Sequence, residues 1–269
     1  MKISIVISIA GNSLDRWQRF QACLSCIQSQ SYQNYDLHVV EQSLDGRWYY
    51  QNSDYHYHPI IDSHMRGFNL SWCRNVGAQC ATGDRLVLMD TDMVFAQDYF
   101  THVISVDKFA LGAYAYVWTD RDTANRFYQN CNVSQLLQAK CRERIPALYS
   151  GGYGGIVCCD RTWYWNTFGG YLENFFNYGL EDLEAIRRVE YLFGKPRSQL
   201  PTLLTKVGHL YHDHERGEIS KKNRRIQTVC KQIYPGHLIQ AIKGKLGDAS
   251  TPFILDLQQL CQTIETPVE

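Results

Sequence analysis

The stretch "RLVLMDTDMVF", residues 85–95, decides the fold prediction. Its first five residues form a nearly unbroken apolar run, which is typical of a central parallel strand covered on both faces. Asp90 and Asp92 follow where that strand should end. Open α/β sheets bind their ligands at the carboxyl ends of strands. The two carboxylates therefore indicate a ligand site at this edge, although aspartate is also common in turns.

The chain before this stretch alternates between strand and helix patterns. Strands are predicted at residues 2–9, 36–41 and 55–61, and helices at residues 13–29 and 67–83. This β-α-β-β-α-β order predicts an α/β fold with a doubly wound, mostly parallel central sheet and flanking helices.

The second half of the chain is less regular. It predicts one strand over residues 109–118, helices over 122–142, 160–168 and 181–193, and another strand over 203–212. We expect a single domain over residues 1–219, with a helical C-terminal extension over residues 220–269 packed on it. The extension begins with a basic run that predicts either peripheral contact with anionic lipid or a solvated helix face. The run comprises Lys221, Lys222, Arg224 and Arg225.

Composition narrows the class of protein. The 27 Lys and Arg residues balance 27 Asp and Glu residues, so no global basic field indicates a nucleic-acid partner. The 18 Tyr and 6 Trp suit clefts that stack on sugars or bases. No window has the apolar length of a transmembrane helix. The ten Cys include one CxxC pair without a second, which favours buried free thiols over a zinc site. No export signal is recognised at the N-terminus, so we expect a reducing, cytoplasmic location.

Two further motifs carry chemistry. His209, His212 and His214 lie within six residues at a predicted strand end, which indicates metal ligation, and which of them bind is left open. Mixed carboxylate and imidazole ligands favour Mn²⁺ over Mg²⁺. Glu181 and Asp182 fall in the first turn of a predicted helix, where they either complement the helix dipole or supply a general base.

Four segments, in this order, resemble the GT-A glycosyltransferases. They are "FNLSWCRNVGA" (68–78), "LVLMDTDMVF" (86–95), "GGYGGIVCCDRTWYWNTFGGYLENFFNYGLEDLEAIRR" (151–188) and "VGHLYH" (207–212). The likeness is closest to the β-1,4-galactosyltransferase group and the bacterial transferases that share its C-terminal domain, and it spans roughly residues 2–225. It implies a Rossmann-like GT-A fold and a metal-dependent, inverting transfer from a UDP-sugar to a hydroxyl of a glycan or glycoconjugate. Galactose or GalNAc is the favoured sugar.

The resemblance also implies roles for individual residues. It implies that Asp92, His209 and His212 bind the metal and that Asp182 is the general base. The implied sugar-binding residues are Glu181, Tyr178, Gly154 and Gly155, and the implied nucleotide-binding residues are Asp90, Phe68, Glu41 and Arg74.

Two departures from the family pattern keep other functions open. Leu180 stands where the family has a glycine, and Leu70 stands where a basic residue is expected near the donor phosphates. These departures favour a catalytically degenerate carbohydrate-binding protein. A nucleotidyltransferase of similar fold is the second alternative, and it would not need Glu181 and Asp182.

Overall fold

The computed structural model describes residues 1–10, 14–44, 54–63, 67–145, 155–177, 179–213 and 220–265, and the strands in these ranges form two sheets. The strands are β1 (Ile3–Ala10), β2 (Tyr35–Ser43), β3 (His56–Ile61), β4 (Arg85–Met89), β5 (Met93–Phe95), β6 (Phe109–Leu111), β7 (Ala115–Trp118), β8 (Arg142–Arg144), β9 (Ile156–Asp160) and β10 (Lys206–His209).

The larger sheet has the strand order β3-β2-β1-β4-β9-β6. Strands β3, β2, β1 and β4 are parallel, and β9 runs antiparallel to both of its neighbours. In β4, residues 86–89 are all buried, as expected for a strand covered on both faces. The predicted α/β class with a mostly parallel sheet is confirmed.

Helices cover the two faces of this sheet and form the C-terminal part. They are α1 (Leu14–Gln28), α2 (Leu70–Cys80), α3 (Tyr99–Val103), α4 (Arg121–Asn130), α5 (Val133–Leu137), α6 (Arg161–Trp163, continued by a π-helix over Tyr164–Phe168), α7 (Glu181–Phe193), α8 (Lys221–Gln232), α9 (Pro235–Ile242) and α10 (Leu257–Glu265). Buried residues of α1 and α2 belong to two different apolar clusters, which lie against opposite faces of the sheet.

The prediction of one strand over residues 109–118 is wrong, because the chain changes sheets at Gly112. Residues before this glycine form β6 in the larger sheet, and residues after it form β7 in the smaller one. A side chain at Gly112 would meet the Ile156 Cβ at 2.5 Å, so the bend requires a residue without a Cβ. The predicted helix over 122–142 is likewise two helices, α4 and α5, separated by Cys131 in a left-handed conformation.

The smaller sheet has the strand order β5-β10-β7-β8. Strand β5 begins immediately after Asp92 and pairs antiparallel with β10, so that Met93 lies opposite His209. Strand β7 lies on the other side of β10 and runs parallel to it. A segment more than a hundred residues further along the chain is thereby placed beside the end of β4.

The C-terminal residues pack on the domain through Glu173. Its carboxylate accepts hydrogen bonds from the Asn75 side chain (2.8 Å) and from the backbone N–H groups of Gly247 (2.9 Å) and Phe253 (2.6 Å). Helices α8, α9 and α10 share an apolar cluster with Leu172 and Phe175. The predicted domain boundary at residue 219 borders residues outside the described ranges and stays a prediction. Among the described residues, no helix is long and apolar enough to cross a bilayer.

Candidate active site

Strand pairing brings Asp92 together with His209 and His212. The Leu210 N–H donates to the Asp92 backbone oxygen at 2.9 Å, directly after β10 ends. The Tyr211 N–H then donates to the Thr119 hydroxyl at 2.8 Å, which holds the chain where it leaves the strand. As a result, Asp92 Oδ2 lies 3.7 Å from His209 Nε2 and 3.4 Å from His212 Nε2.

These three side chains fit a divalent metal ion. One ligand atom from each lies within 4.8 Å of the others. The second carboxylate oxygen of Asp92, Oδ1, is buried and has no hydrogen-bond partner, which is costly unless a cation or solvent completes the site. Burial lowers the pKa of the His209 imidazole, and the neighbouring His212 lowers it further against the charge of Asp92. The neutral imidazole is the form that ligates metals, and one carboxylate with two imidazoles suits Mn²⁺.

A stack of three side chains fixes the plane of His209. Its ring lies on Trp118 with centroids 3.8 Å apart and planes 10° apart. The Arg144 guanidinium carbon lies 3.7 Å from the centroid of the same indole. Neither Trp118 nor Arg144 was predicted from the sequence. The signal available was an aromatic residue at the end of a strand, which is usually a core feature.

Arg74 connects the end of β4 with the start of α7. This arginine of α2 is 2% exposed, and its guanidinium donates to Asp182 Oδ1 at 2.8 Å and to Asp90 Oδ1 at 3.2 Å. The guanidinium also lies over the Tyr171 ring, 4.9 Å from its centroid. Burial raises the pKa of Asp90, the guanidinium opposes the increase, and the charges of Asp92 and Asp182 add to it. The structure thus joins three predicted site residues, Asp90, Arg74 and Asp182, by direct hydrogen bonds.

The segment before α7 has an unusual backbone. Asn177, Gly179 and Leu180 all have positive φ, and Leu180 is the N-cap with φ +84°. A left-handed conformation costs a non-glycine residue about 1–2 kcal/mol, which accounts physically for the glycine expected at this position. The turn places Glu181 and Asp182 side by side. Burial and the charge of Asp182 raise the pKa of Glu181 to about 8, and Glu181 Oε2 is buried without a hydrogen-bond partner.

The structure also describes the contacts of three other predicted residues, Gly155, Phe68 and Glu41. The Gly155 carbonyl accepts from the Asp90 N–H at 2.9 Å, and a Cβ at Gly155 would lie 3.0 Å from Asp90 Oδ2. The Phe68 carbonyl accepts from the Asn177 N–H at 2.7 Å, beside the turn that leads to α7. Glu41 is buried near the end of β2, on the far side of β1 from Asp90, and accepts from the Tyr57 hydroxyl at 2.7 Å. Tyr178, Gly154 and His214 lie outside the described residues.

Comparison with known proteins assigns the family. The model of glycosyl transferase family 2 matches residues 4–164, which is more than half of the chain. The chain belongs to glycosyl transferase family 2. The predicted GT-A glycosyltransferase resemblance is thereby confirmed. No curated protein sequence matches the chain significantly. Asp182, His209 and His212 lie beyond the matched residues, so the second half of this family member's site comes from outside the shared segment.

Two solved structures with TM-scores of 0.50 or above show the same fold. GalNAc-T7, in a structure with UDP, GalNAc and Mn²⁺, aligns with a TM-score of 0.54 and 14% identity over 98% of this chain and 54% of its own. The Drosophila β-1,4-galactosyltransferase 7, in a mutant complex with manganese, UDP-Gal and xylobiose, aligns with a TM-score of 0.50 and 14% identity over 84% and 79%. The mannosyltransferase PcManGT from Pyrobaculum calidifontis, in complex with GDP-Man and Mn²⁺, has a TM-score of 0.46 and 13% identity over 86% and 60%. The chain therefore spans just over half of the first and about three fifths of the last.

Proposed function

We propose that this family 2 member is a metal-dependent glycosyltransferase that moves a sugar from a UDP-sugar to an acceptor hydroxyl. The observation that carries the proposal is the meeting of Asp92, His209 and His212 next to the hydrogen-bonded chain Asp90–Arg74–Asp182. The proposed metal ligands and the proposed acceptor-side carboxylate, Asp182, therefore lie in one site, although they come from distant parts of the sequence.

Asp92, His209 and His212 would hold Mn²⁺, whose charge offsets the negative charge that grows on a diphosphate leaving group. Asp90 would face the ribose and phosphates of the donor, and Arg74 orients its carboxylate. The close approach of Gly155 to Asp90, and its φ of +101°, require a glycine at this position.

Asp182 is the proposed general base. Arg74 binds its Oδ1 and so fixes the carboxylate, and the side chain is 19% exposed, which leaves it accessible to an acceptor hydroxyl. Oδ2 would receive the hydroxyl proton as the acceptor oxygen forms its bond to the anomeric carbon. Attack from the face opposite the diphosphate inverts that carbon. Glu181 and Tyr178 would contact the sugars, and Phe68 and Glu41 the nucleoside.

Galactose or GalNAc is the proposed sugar, with a glycan or glycoconjugate as acceptor. The sequence resemblance supports this choice, as do the UDP-Gal and the UDP with GalNAc in two of the structural neighbours. We also propose a cytoplasmic location, because all ten cysteines are free thiols, as expected for a reducing compartment.

UDP release from a panel of UDP-sugars tests the proposal. Wild-type protein should release UDP with Mn²⁺ and lose this activity with a chelator, and calorimetry should show one Mn²⁺ site that Asp92→Asn abolishes. Asp182→Asn should retain Mn²⁺ binding but lose transfer by on the order of 100-fold or more. A nucleotidyltransferase would instead release pyrophosphate from UTP and a sugar 1-phosphate, and this activity should survive in Asp182→Asn. Mn²⁺ and UDP-sugar binding without release, under any condition tried, would identify a degenerate carbohydrate-binding protein.

A further inference from the structure

The C-terminal helices carry a concentration of positive charge. Residues 220–247 contain seven Lys and Arg side chains and no Asp or Glu, in a chain whose formal net charge is zero. The rest of the chain is therefore net acidic. Such a separation of charge on one polypeptide points to contact with an anionic partner rather than to solubility alone.

Helix α8 gathers four of these cations on one face. Asn223 and Cys230 are buried and mark the side of the helix that packs on the protein. All four are exposed: Lys221, Arg224, Arg225 and Lys231. Since a helix turns by about 100° per residue, the first three project from the opposite side and Lys231 lies at its edge. We call these four residues the α8 basic face.

No carboxylate in the described part of the chain forms an ion pair with the α8 basic face. Among the residues that the structure describes, none of its four side chains takes part in an ion pair. Some cations elsewhere are paired, as Arg121 is with Asp213 and Lys206 is with Glu143. As far as the described residues go, these charges are available to an external partner.

The α8 basic face starts beside the proposed acceptor side of the site. The Asn223 side chain, in the first turn of α8, donates to the Phe176 carbonyl (2.9 Å) and the Gly179 carbonyl (3.1 Å). The Lys222 ammonium lies 5.2 Å from the centroid of the Phe176 ring. These contacts place the helix against the turn that leads into Glu181 and Asp182. Whatever the face binds will therefore be held close to that turn.

We propose that the α8 basic face docks the enzyme on an anionic phospholipid membrane, so that the proposed site accepts a lipid-anchored glycan. This inference rests on the proposed function for the acceptor, while the docking itself does not. A lipid surface is favoured over other polyanions because Tyr234 is 55% exposed three residues after Lys231, and tyrosine prefers the membrane–water interface. Four exposed cations on a single helix match the size of basic cluster that binds anionic lipid.

Sedimentation with vesicles tests the docking. The full-length protein should bind vesicles of equal parts phosphatidylcholine and phosphatidylglycerol at low salt. It should not bind phosphatidylcholine alone, and high salt should release it. The triple variant Arg224→Gln, Arg225→Gln and Lys231→Gln should lower the partition coefficient by about 100-fold. Lys221 and Lys222 are left unchanged because they lie next to the site.

A matched control removes three exposed cations elsewhere, Lys108→Gln, Lys140→Gln and Lys195→Gln, and should leave vesicle binding intact. Equal loss in both triple variants, or binding to neutral vesicles, would overturn the docking. If duplex DNA binds through Arg224, Arg225 and Lys231 while phosphatidylglycerol vesicles do not, the partner is a nucleic acid and the membrane assignment is wrong. UDP release, measured on the same samples, reports on the proposed function independently, because sedimentation requires no sugar transfer.

Discussion

Trp118 and His209 stack face to face, with ring centroids 3.8 Å apart and planes 10° apart. The indole thereby restricts rotation of a proposed metal ligand whose Nε2 points toward Asp92. Groups that orient a ligand in this way commonly contribute 10–100-fold to metal affinity. We expect Trp118→Leu to weaken Mn²⁺ binding by about 10-fold in calorimetry, whereas Trp118→Phe, which keeps an aromatic face, should lose much less.

Arg144 lies on the other face of the same indole and allows a second comparison. Arg144→Ala should weaken Mn²⁺ binding in the same direction as Trp118→Leu, because the indole loses the group that packs it against His209. Lys140→Ala removes a positive charge from an exposed position just before the strand and serves as the control. Equal Mn²⁺ affinity in folded Trp118→Leu and wild type would show that the stack does not position the ligand.

Arg74 is a buried cation between the carboxylates of Asp90 and Asp182. Its interaction with them should therefore contribute strongly to the free energy of unfolding. Arg74→Met leaves Asp90 and Asp182 without their partner and should reduce the free energy of unfolding by about 3 kcal/mol in urea titrations. This expected loss is at the low end of the range for breaking a buried ion pair, because the Asp90 side chain is 35% exposed. Asp182→Asn keeps an acceptor oxygen and should cost about 1 kcal/mol.

The double variant of Arg74 and Asp182 isolates their interaction. Its loss should be smaller than the sum of the two single losses, because the second change removes one of the carboxylates that the first leaves unpaired. Arg121→Met and Asp213→Asn provide an exposed reference pair, with side chains 61% and 68% exposed, and should show a much weaker coupling than Arg74 and Asp182. Additive losses at Arg74 and Asp182 would contradict the bridge.

Much of the fold was predictable because local patterns and tertiary burial agree. Strand β4 and helix α7 were predicted with the bounds that the structure shows, residues 85–89 and 181–193. An unbroken apolar run marks a doubly covered strand, and a carboxylate-rich first turn marks a helix start. The break at Gly112 was missed, because only the contact with Ile156, distant in sequence, shows why that glycine is needed.

The candidate site also contains some contacts that the sequence predicts and others that it does not. Aspartate and histidine are recognisable metal ligands, and the order of these motifs resembles a known family. The sequence therefore predicted that Asp92, His209 and His212 lie together. The bridge from Arg74 to Asp182 joins residues 108 positions apart, and the stack of Trp118 on His209 depends on the parallel pairing of β7 with β10. The first contact depends on how α2 and α7 are placed, and the second on the pairing of strands in the smaller sheet. No periodicity in the sequence predicts either.

Glu181 should make stability depend on pH. Burial and the charge of Asp182 raise its pKa to about 8, from an ordinary value of 4.5. Between these values the folded state binds more protons than the unfolded state, so the free energy of unfolding should fall as pH rises through this window. Glu181→Gln mimics the neutral carboxyl. The difference between its melting temperature and that of wild type should therefore increase in favour of the variant from pH 5 to pH 8, measured with a chelator present. A constant difference over this range would show that Glu181 ionises normally.

Leu180 supplies the sharpest test of backbone strain, because its φ is +84° at the N-cap of α7. Its side chain also packs beside the C-terminal apolar cluster. Leu180→Ala loses this packing but keeps the strain, whereas Leu180→Gly loses the same packing and relieves the strain. The glycine variant should therefore exceed the alanine variant in free energy of unfolding by about 1 kcal/mol. Leu180→Val should be the least stable, since a β-branched residue is a true outlier at positive φ.

The same three variants bear on activity. The turn already has the left-handed conformation that a glycine would adopt, so Leu180→Gly should release UDP at the wild-type rate. A large gain in UDP release by Leu180→Gly would mean that the leucine impairs the site, as a degenerate transferase would require. Equal stability of the alanine and glycine variants would show that the backbone at Leu180 is not strained.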